Sequence, residues 1–292
     1  MALSGNPPFE IAEELRDLLE EVNFSRHLQL NGIELENSDL QFVISGKGVS
    51  HGMAKRDSIF DRIETFERLT LRTIERKLNK PFREKGNIPD NIRELYTSYY
   101  SAPRAASFAI TVRIGKPKRQ LEFSGFEKSK TVIDDMINNI QLINDGKEDK
   151  LKLIIKDQAY FRNFISLTKE LAPDGEDVSL VGFTVTRGGK EKQVQFTRKK
   201  NDFDMSSIIS SNKADTPSTH RKTIQITGLL SAADLDLHKL RLRNTHGRKV
   251  NIEVPEGMGD IVRKYFETTV IIKGIQKNKP NTIELLSIDS AK

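Results

Sequence analysis

The most glycine-dense stretch of the chain is Gly46-Lys47-Gly48-Val49-Ser50-His51-Gly52, and Lys55 and Arg56 follow it closely. It lies between an alternating run, Asp39 to Ser45, and a helical pattern that starts near Asp57. A strand, a glycine loop and a helix in that order can turn backbone N–H groups towards an anion, with Lys47, His51, Lys55 and Arg56 supplying charge. The spacing is not that of a phosphate loop, which needs four residues between its first glycine and Gly-Lys-Ser/Thr. Nor is it the dinucleotide fingerprint, which needs a third glycine three positions after the second. The stretch is a candidate anion site without a nucleotide motif, and glycine before a helix also serves the turn itself. Arg104, in Pro103-Arg104-Ala105-Ala106, is a further candidate ligand contact.

A second set of cations is arranged differently. Lys239-Leu240-Arg241-Leu242-Arg243 alternates, as does Lys249-Val250-Asn251-Ile252-Glu253, with His246-Gly247-Arg248 between them. Successive side chains of a strand point to opposite faces, so Lys239, Arg241, Arg243, Lys249, Asn251 and Glu253 share one face. Rows of Lys and Arg on one face suit a phosphate backbone. From His220 onward the chain holds 13 Lys and Arg against 8 Asp and Glu, whereas the preceding residues hold 34 against 33. The net charge of +6 therefore sits mainly in this C-terminal part.

Other chemistries lack their residues. There is no cysteine, which removes disulfides, thiolate nucleophiles and thiolate metal sites together. The five histidines, at 27, 51, 220, 238 and 246, include no pair at helical spacing, so no metal site is expected. No Gly-x-Ser-x-Gly surrounds a serine. Asp174, Asp177, Glu191 and Lys192 are the acidic and basic types a nuclease uses, at a spacing that is not the expected one. No catalytic set and no cofactor are expected.

The elements that must position these residues are readable from periodicity. Alternation marks strands at Asp39–Ser45, Ser107–Ile114, Val178–Thr186 and Gln193–Arg198, the last two as a hairpin. Helical spacing marks Phe9–Val22, a long helix from Asp57, Pro89–Tyr100, a helix from Lys130 ended by Asn144-Asp145-Gly146, and Gln158–Ala172. Strands returning as hairpins among segregated helices predict an α+β class with a mixed or antiparallel sheet. Residues 201–220 are rich in Ser, Asn, Asp, Thr and Lys and read as a flexible linker between an α+β domain, 1–200, and a small C-terminal domain, 221–292.

In that last domain the order is Thr223–Thr227, Lys239–Arg243 and Lys249–Val254 as strands, Gly257–Phe266 as a helix, then Thr269–Ile275 and Thr282–Ile288 as strands. This order resembles the OB-fold, a five-stranded Greek-key barrel. The resemblance implies a surface for single-stranded nucleic acid or oligosaccharide. Stacking aromatics are missing from it: Tyr265 and Phe266 fall in the helix at core-like spacing.

Hydrophobic residues make up 36% and charged residues 30%, enough apolar content for packed cores, which excludes wholesale disorder. No 18-residue apolar run and no signal peptide are apparent, so no membrane contact and a cytoplasmic location are expected. The leading expectation is a non-enzymatic protein whose OB-like barrel binds nucleic acid, or assists a nucleic-acid complex, through Lys239, Arg241, Arg243, Arg248 and Lys249. The alternative is a protein-docking scaffold or sensor subunit that contacts another chain. An enzyme on an anionic substrate at the Gly46–Gly52 loop is third.

Overall fold

The computed structural model describes residues 7–35, 39–50, 53–84, 88–95, 97–100, 108–117, 129–187, 190–205, 208, 223–234, 237–277 and 281–291. His51 and Arg104 lie outside them.

The N-terminal part is an antiparallel sheet with helices packed on it. Its strands are β1 (Ile33–Leu35), β2 (Asp39–Ser45), β5 (Thr97–Tyr100), β6 (Phe108–Pro117), β7 (Leu180–Arg187) and β8 (Lys190–Gln195). They run in the order β1-β6-β2-β7-β8, with β5 also on β6. Two-residue strands β3 (Val49–Ser50) and β4 (Met53–Ala54) form a separate small hairpin. The helices are α1 (Pro7–Leu30), α2 (Arg56–Lys77), α3 (Asp90–Leu95), α4 (Ser129–Asn144), α5 (Glu148–Ile154) and α6 (Gln158–Leu171).

Alternation explains β2: Leu40, Phe42 and Ile44 are buried, and residues between them are half-buried. Phe42 stacks on Phe183 of β7 at 5.1 Å, and Phe66 of α2 covers both rings at 5.8 and 5.5 Å. This aromatic trio joins sheet to helix at the centre of the core. Each end of α2 carries charge that suits the helix dipole, Asp57 in the first turn and Arg76 and Lys77 in the last. At the start of α6, the Asp157 carboxylate accepts the N–H groups of Ala159 and Tyr160 at 2.8 and 3.0 Å.

The helix expected over Pro89–Tyr100 ends at Leu95, and Thr97–Tyr100 is a strand. Thr97, Tyr99 and Tyr100 have the β-branched and aromatic side chains that suit strands, and β6 supplies a partner: Tyr99 pairs with Arg113 and Tyr100 with Val112. α1 runs eight residues beyond the expected Val22. Of the expected linker, residues 201–205 and 208 are described, and Phe203, Met205 and Ile208 are buried.

The C-terminal strands are β9 (Thr223–Asp234), β10 (Lys239–Asn244), β11 (Lys249–Glu253), β12 (Thr269–Gln276) and β13 (Thr282–Ser290), with α7 (Gly259–Lys264) between β11 and β12. Each strand pairs with two others, β10-β11-β13-β12-β9 and back to β10, so the ring has no edge. All pairs are antiparallel except β11 with β13, where Asn251, Ile252 and Glu253 face Thr282, Ile283 and Glu284. Leu230, Leu240, Leu242, Ile252, Val270, Ile272 and Leu285 fill the inside. Gly228 lets β9 bend rather than stop, because a Cβ there would lie 2.4 Å from the Arg243 carbonyl oxygen of β10. The protein is thus a mixed α+β molecule, and no helix among the described residues is long and apolar enough to cross a membrane.

Candidate functional site

On the outer face of β10 and β11, register sets which charges meet. Lys239 lies between Asp234 of β9 and Glu253 of β11, so opposite charges flank it. Arg241 lies between Ala232 and Asn251, and Arg243 between Leu229 and Lys249. Positive charge therefore accumulates towards the β10–β11 turn, where Arg248 adds to it. The turn is held by Asn244, whose side-chain oxygen accepts the N–H groups of His246 and Arg248 at 3.1 and 2.8 Å, and Gly247 takes a φ of +73°. Lys239, Arg241, Arg243, Arg248 and Lys249 are all exposed. Among the described residues, none of the last four has a carboxylate within ion-pair distance. The five strands carry no aromatic residue.

The glycine loop is organised by its own backbone. Gly48 N–H donates to the Asp177 carbonyl at 2.9 Å, Val49 N–H to Gly46 at 3.1 Å and Lys55 N–H to Gly48 at 2.9 Å. A Cβ on Gly46 would lie 2.3 Å from the Asp177 carbonyl oxygen, so the glycine permits this close approach. Lys47 is exposed, Lys55 Nζ is 2.8 Å from Asp177 Oδ2, and Arg56 lies 3.6 Å from Asp57. The amides of Gly48 and Val49 in the loop, and of Lys55 after it, are thus satisfied by main-chain carbonyls. Asp174 and Asp177 bind Arg62 and Lys55, and neither is joined to Glu191, which is exposed on β8.

Lys55 and Arg56 also line a cleft of about 790 Å³ together with residues of α2, α6 and α7. Asp260 of α7 is fully buried there and accepts from Arg72 Nε at 2.8 Å, Arg68 Nη1 at 3.1 Å and Asn163 Nδ2 at 2.9 Å. Burial opposes its ionisation, but the hydrogen bonds and charge of Arg72, with Arg68, hold its pKa below the usual carboxylate value. Glu170 of α6 accepts at one oxygen from Lys200 and Lys264, each at 3.0 Å, and from Tyr265 at 3.0 Å. Burial would raise its pKa, yet the two ammonium groups prevail and carry it down to about 2. Burial in turn lowers the pKa of Lys200 and raises that of the Tyr265 hydroxyl, which stays protonated and donates. Glu84 receives the N–H groups of Gly257 and Gly259, and Lys169 Nζ meets Asp289 Oδ1 at 2.7 Å.

The cleft cations are matched by carboxylates almost one for one: Lys55 with Asp177, Arg62 with Asp174, Arg68 with Asp260, Lys200 with Glu170, and Lys264 with Glu170 and Asp61. It is a polar seam rather than free charge, and its Asp260 and Lys264 pairs join α7 to α2 and α6. The periodicity of the sequence does not name this seam, although a signal is present: Arg62 and Arg72 each fall three residues after Ile59 and Leu69 on the apolar side of α2, and Glu170 falls between Leu167 and Leu171. A charge inside an apolar stripe announces a buried partner.

Among the described residues, no group of three or more His, Asp or Glu is placed to hold a metal ion. The candidate site is the basic strand pair β10 and β11, on a ring of strands joined to the helices by buried ion pairs. No family model matches the chain, and no curated protein matches it significantly.

Proposed function

We propose that the protein binds nucleic acid through phosphate contacts on the outer face of β10 and β11, in a non-enzymatic role. The observation that carries this reading is the register of Arg243 directly opposite Lys249, with Arg241 and Arg248 beside them. Like charges placed opposite each other on a sheet cost stability, and a polyanion turns that cost into affinity. The strand ring supports an OB-like barrel: its third and fifth strands are parallel, its first lies between its second and fourth, and a helix separates the third from the fourth. In barrels of that kind the second and third strands form the usual oligonucleotide face, and these are β10 and β11 here. Without aromatics on the strands, base stacking adds nothing, so binding is electrostatic and weakly selective for sequence. In this reading residues 1–200 are the mount on which residues 221–292 are held.

The test is titration of the full chain into labelled single- and double-stranded DNA and RNA from about 50 to 200 mM salt. Affinity falls steeply along that series if phosphates are the ligand. Absence of binding at the lowest salt would sink the reading.

The second reading, a docking subunit, is favoured by one feature of α1. Leu15, Leu18, Leu19 and Val22 are 54 to 60% exposed along that helix.

A further inference from the structure

Glu170 serves two lysines with one oxygen. Lys200 Nζ and Lys264 Nζ each lie 3.0 Å from Glu170 Oε2, so the two nitrogens stand at most about 6 Å apart, where like charges disfavour each other. Their other contacts differ. Lys264 has a second carboxylate, Asp61 Oδ2 at 3.3 Å, whereas among the described residues Glu170 alone pairs with Lys200. The groups that face Lys200 are Glu170 of α6, Lys264 of α7 with the neighbouring Tyr265 hydroxyl, and Arg62 of α2. Burial lowers the pKa of Lys200 and the cations of Lys264 and Arg62 add to that, against the pull of Glu170. Burial also opposes the charge of Lys264, but Glu170 and Asp61 prevail and raise its pKa. Two lysines on one carboxylate are thereby driven apart, one towards a free amine and one towards a fixed ammonium.

Lys200 is also placed to react. It opens a 3₁₀ turn, Lys200–Asp202, and its N–H donates to the Pro173 carbonyl at 2.9 Å, which fixes the base of the side chain. The side chain is 20% exposed and lines the cleft of about 790 Å³, a volume that suits a small molecule. Loss of the Lys200 proton does not strand Glu170, which keeps Lys264 and the Tyr265 hydroxyl. A desolvated amine beside another cation is the arrangement that turns lysine into a nucleophile towards a carbonyl group.

We infer that the cleft captures a small, uncharged hydroxyaldehyde as an imine on Lys200. The lone pair of the free amine forms the C–N bond, the carbonyl π pair moves onto oxygen, and one proton passes from nitrogen to that oxygen. The hydroxyl then leaves with the second amine proton as water, and the C=N bond remains. The capture is reversible and consumes no oxidant or reductant. Charge and lining select the ligand: among the described residues seven cationic and seven anionic side chains line the cleft, so a charged ligand finds no excess of the opposite sign. With Lys200 as the free amine one carboxylate is in excess, which disfavours an anion further. Ser58, Thr65, Thr268 and Ser290 offer hydroxyl groups to the hydroxyls of the ligand. The residues of β10 and β11 take no part, so this capture and the nucleic-acid reading fail independently.

Reductive trapping on the full chain tests this. Limiting glycolaldehyde with cyanoborohydride at neutral pH converts each imine to a stable hydroxyethyl-lysine, and peptide mass spectrometry ranks the lysines by rate. Lys200 is expected to be labelled about tenfold or more faster than the exposed Lys47 and Lys239, and its rate is expected to level off at lower pH than theirs. The preference is expected to vanish in the urea-unfolded chain. Lys264→Gln removes the neighbouring cation, so Lys200 holds its proton more firmly and is expected to be labelled more slowly. Should that variant misfold, the rate and pH profile of the natural chain still decide. Selectivity for Lys200 over the exposed lysines is expected to be greater with glycolaldehyde than with glyoxylate, which carries a negative charge. Labelling of Lys200 no faster than that of Lys47 and Lys239, or a pH profile parallel to theirs, overturns the inference, and greater selectivity with glyoxylate overturns the uncharged class of ligand.

Discussion

Arg72 Nε of α2 donates to Asp260 Oδ2 of α7 at 2.8 Å, and both groups are buried. This contact joins residues 188 apart in the chain and fastens the barrel to the helical layer. Removing one member leaves the other charge buried without its partner, which costs about 3 to 5 kcal/mol in comparable pairs. Arg72 retains Glu75 at 2.8 Å, so Asp260→Ala is expected at the lower end, about 3 kcal/mol. Urea unfolding measures it, and an unchanged midpoint would show that the seam does not hold the barrel.

Acid loosens the same seam through Glu170. Its pKa is about 2 folded against an ordinary value of 4.5, so its ionised form stabilises the fold fully above pH 4.5. That stability, about 3 kcal/mol, is lost as pH falls from 4.5 towards 2. Asp174 and Asp260 are depressed too and act in the same direction. Thermal melts from pH 7 to 3 are expected to fall steeply for the natural chain and less steeply for Glu170→Gln, which starts lower. Parallel curves for the two proteins would remove Glu170 as the acid-sensitive group.

Salt dependence reports how many cations meet phosphate. Arg241→Ala/Arg243→Ala/Lys249→Ala is expected to lower the slope of log affinity against log salt by about 2 to 3, roughly 0.7 to 0.9 for each phosphate-binding cation removed. Lys47→Ala, in the exposed turn between β2 and β3, is expected to leave the slope unchanged. Fluorescence anisotropy over a salt series separates the two, and equal slopes for all three proteins would move the interface elsewhere.

Gly257 tests how closely the two halves approach. Its φ is +94°, and a Cβ would lie 2.2 Å from the Ala159 carbonyl oxygen of α6. Gly257→Ala therefore combines backbone strain with a clash against main chain that has nowhere to move, and about 2 kcal/mol or more is expected. Gly247→Ala is the control, because it has a similar positive φ of +73° with nothing within 4 Å. Calorimetry gives both melting temperatures. A Gly257 variant no less stable than the Gly247 variant would refute the close approach.

The barrel strands are legible in the sequence because each has one wet and one dry side, so Lys239–Arg243 and Lys249–Glu253 alternate along the chain as they do in space. The basic face follows directly, since outward positions on a strand need only period two. Helical spacing of Ile92, Leu95, Tyr96 and Tyr99 points to a helix through Thr97–Tyr100, and only β6, a distant segment, makes the strand. The seam is illegible for the same reason at larger scale: Glu170 acquires its role from Lys200, Lys264 and Tyr265, which periodicity within α6 cannot name. Local pattern specifies a face, and pairing between faces belongs to tertiary structure.

The place of β13 between β11 and β12 sets an order of events during synthesis. Until Thr282–Ser290 has left the ribosome, β11 and β12 each lack a neighbour, and the parallel contact that completes the ring cannot form. β9, β10 and β11 meanwhile form a meander with open rims, capable of pairing with another nascent chain. Lys169 also waits for Asp289 over a separation of 120 residues. Closure is therefore a long-range step, and the yield of correctly assembled protein is expected to depend on how soon Thr282–Ser290 emerges relative to encounters between unfinished chains.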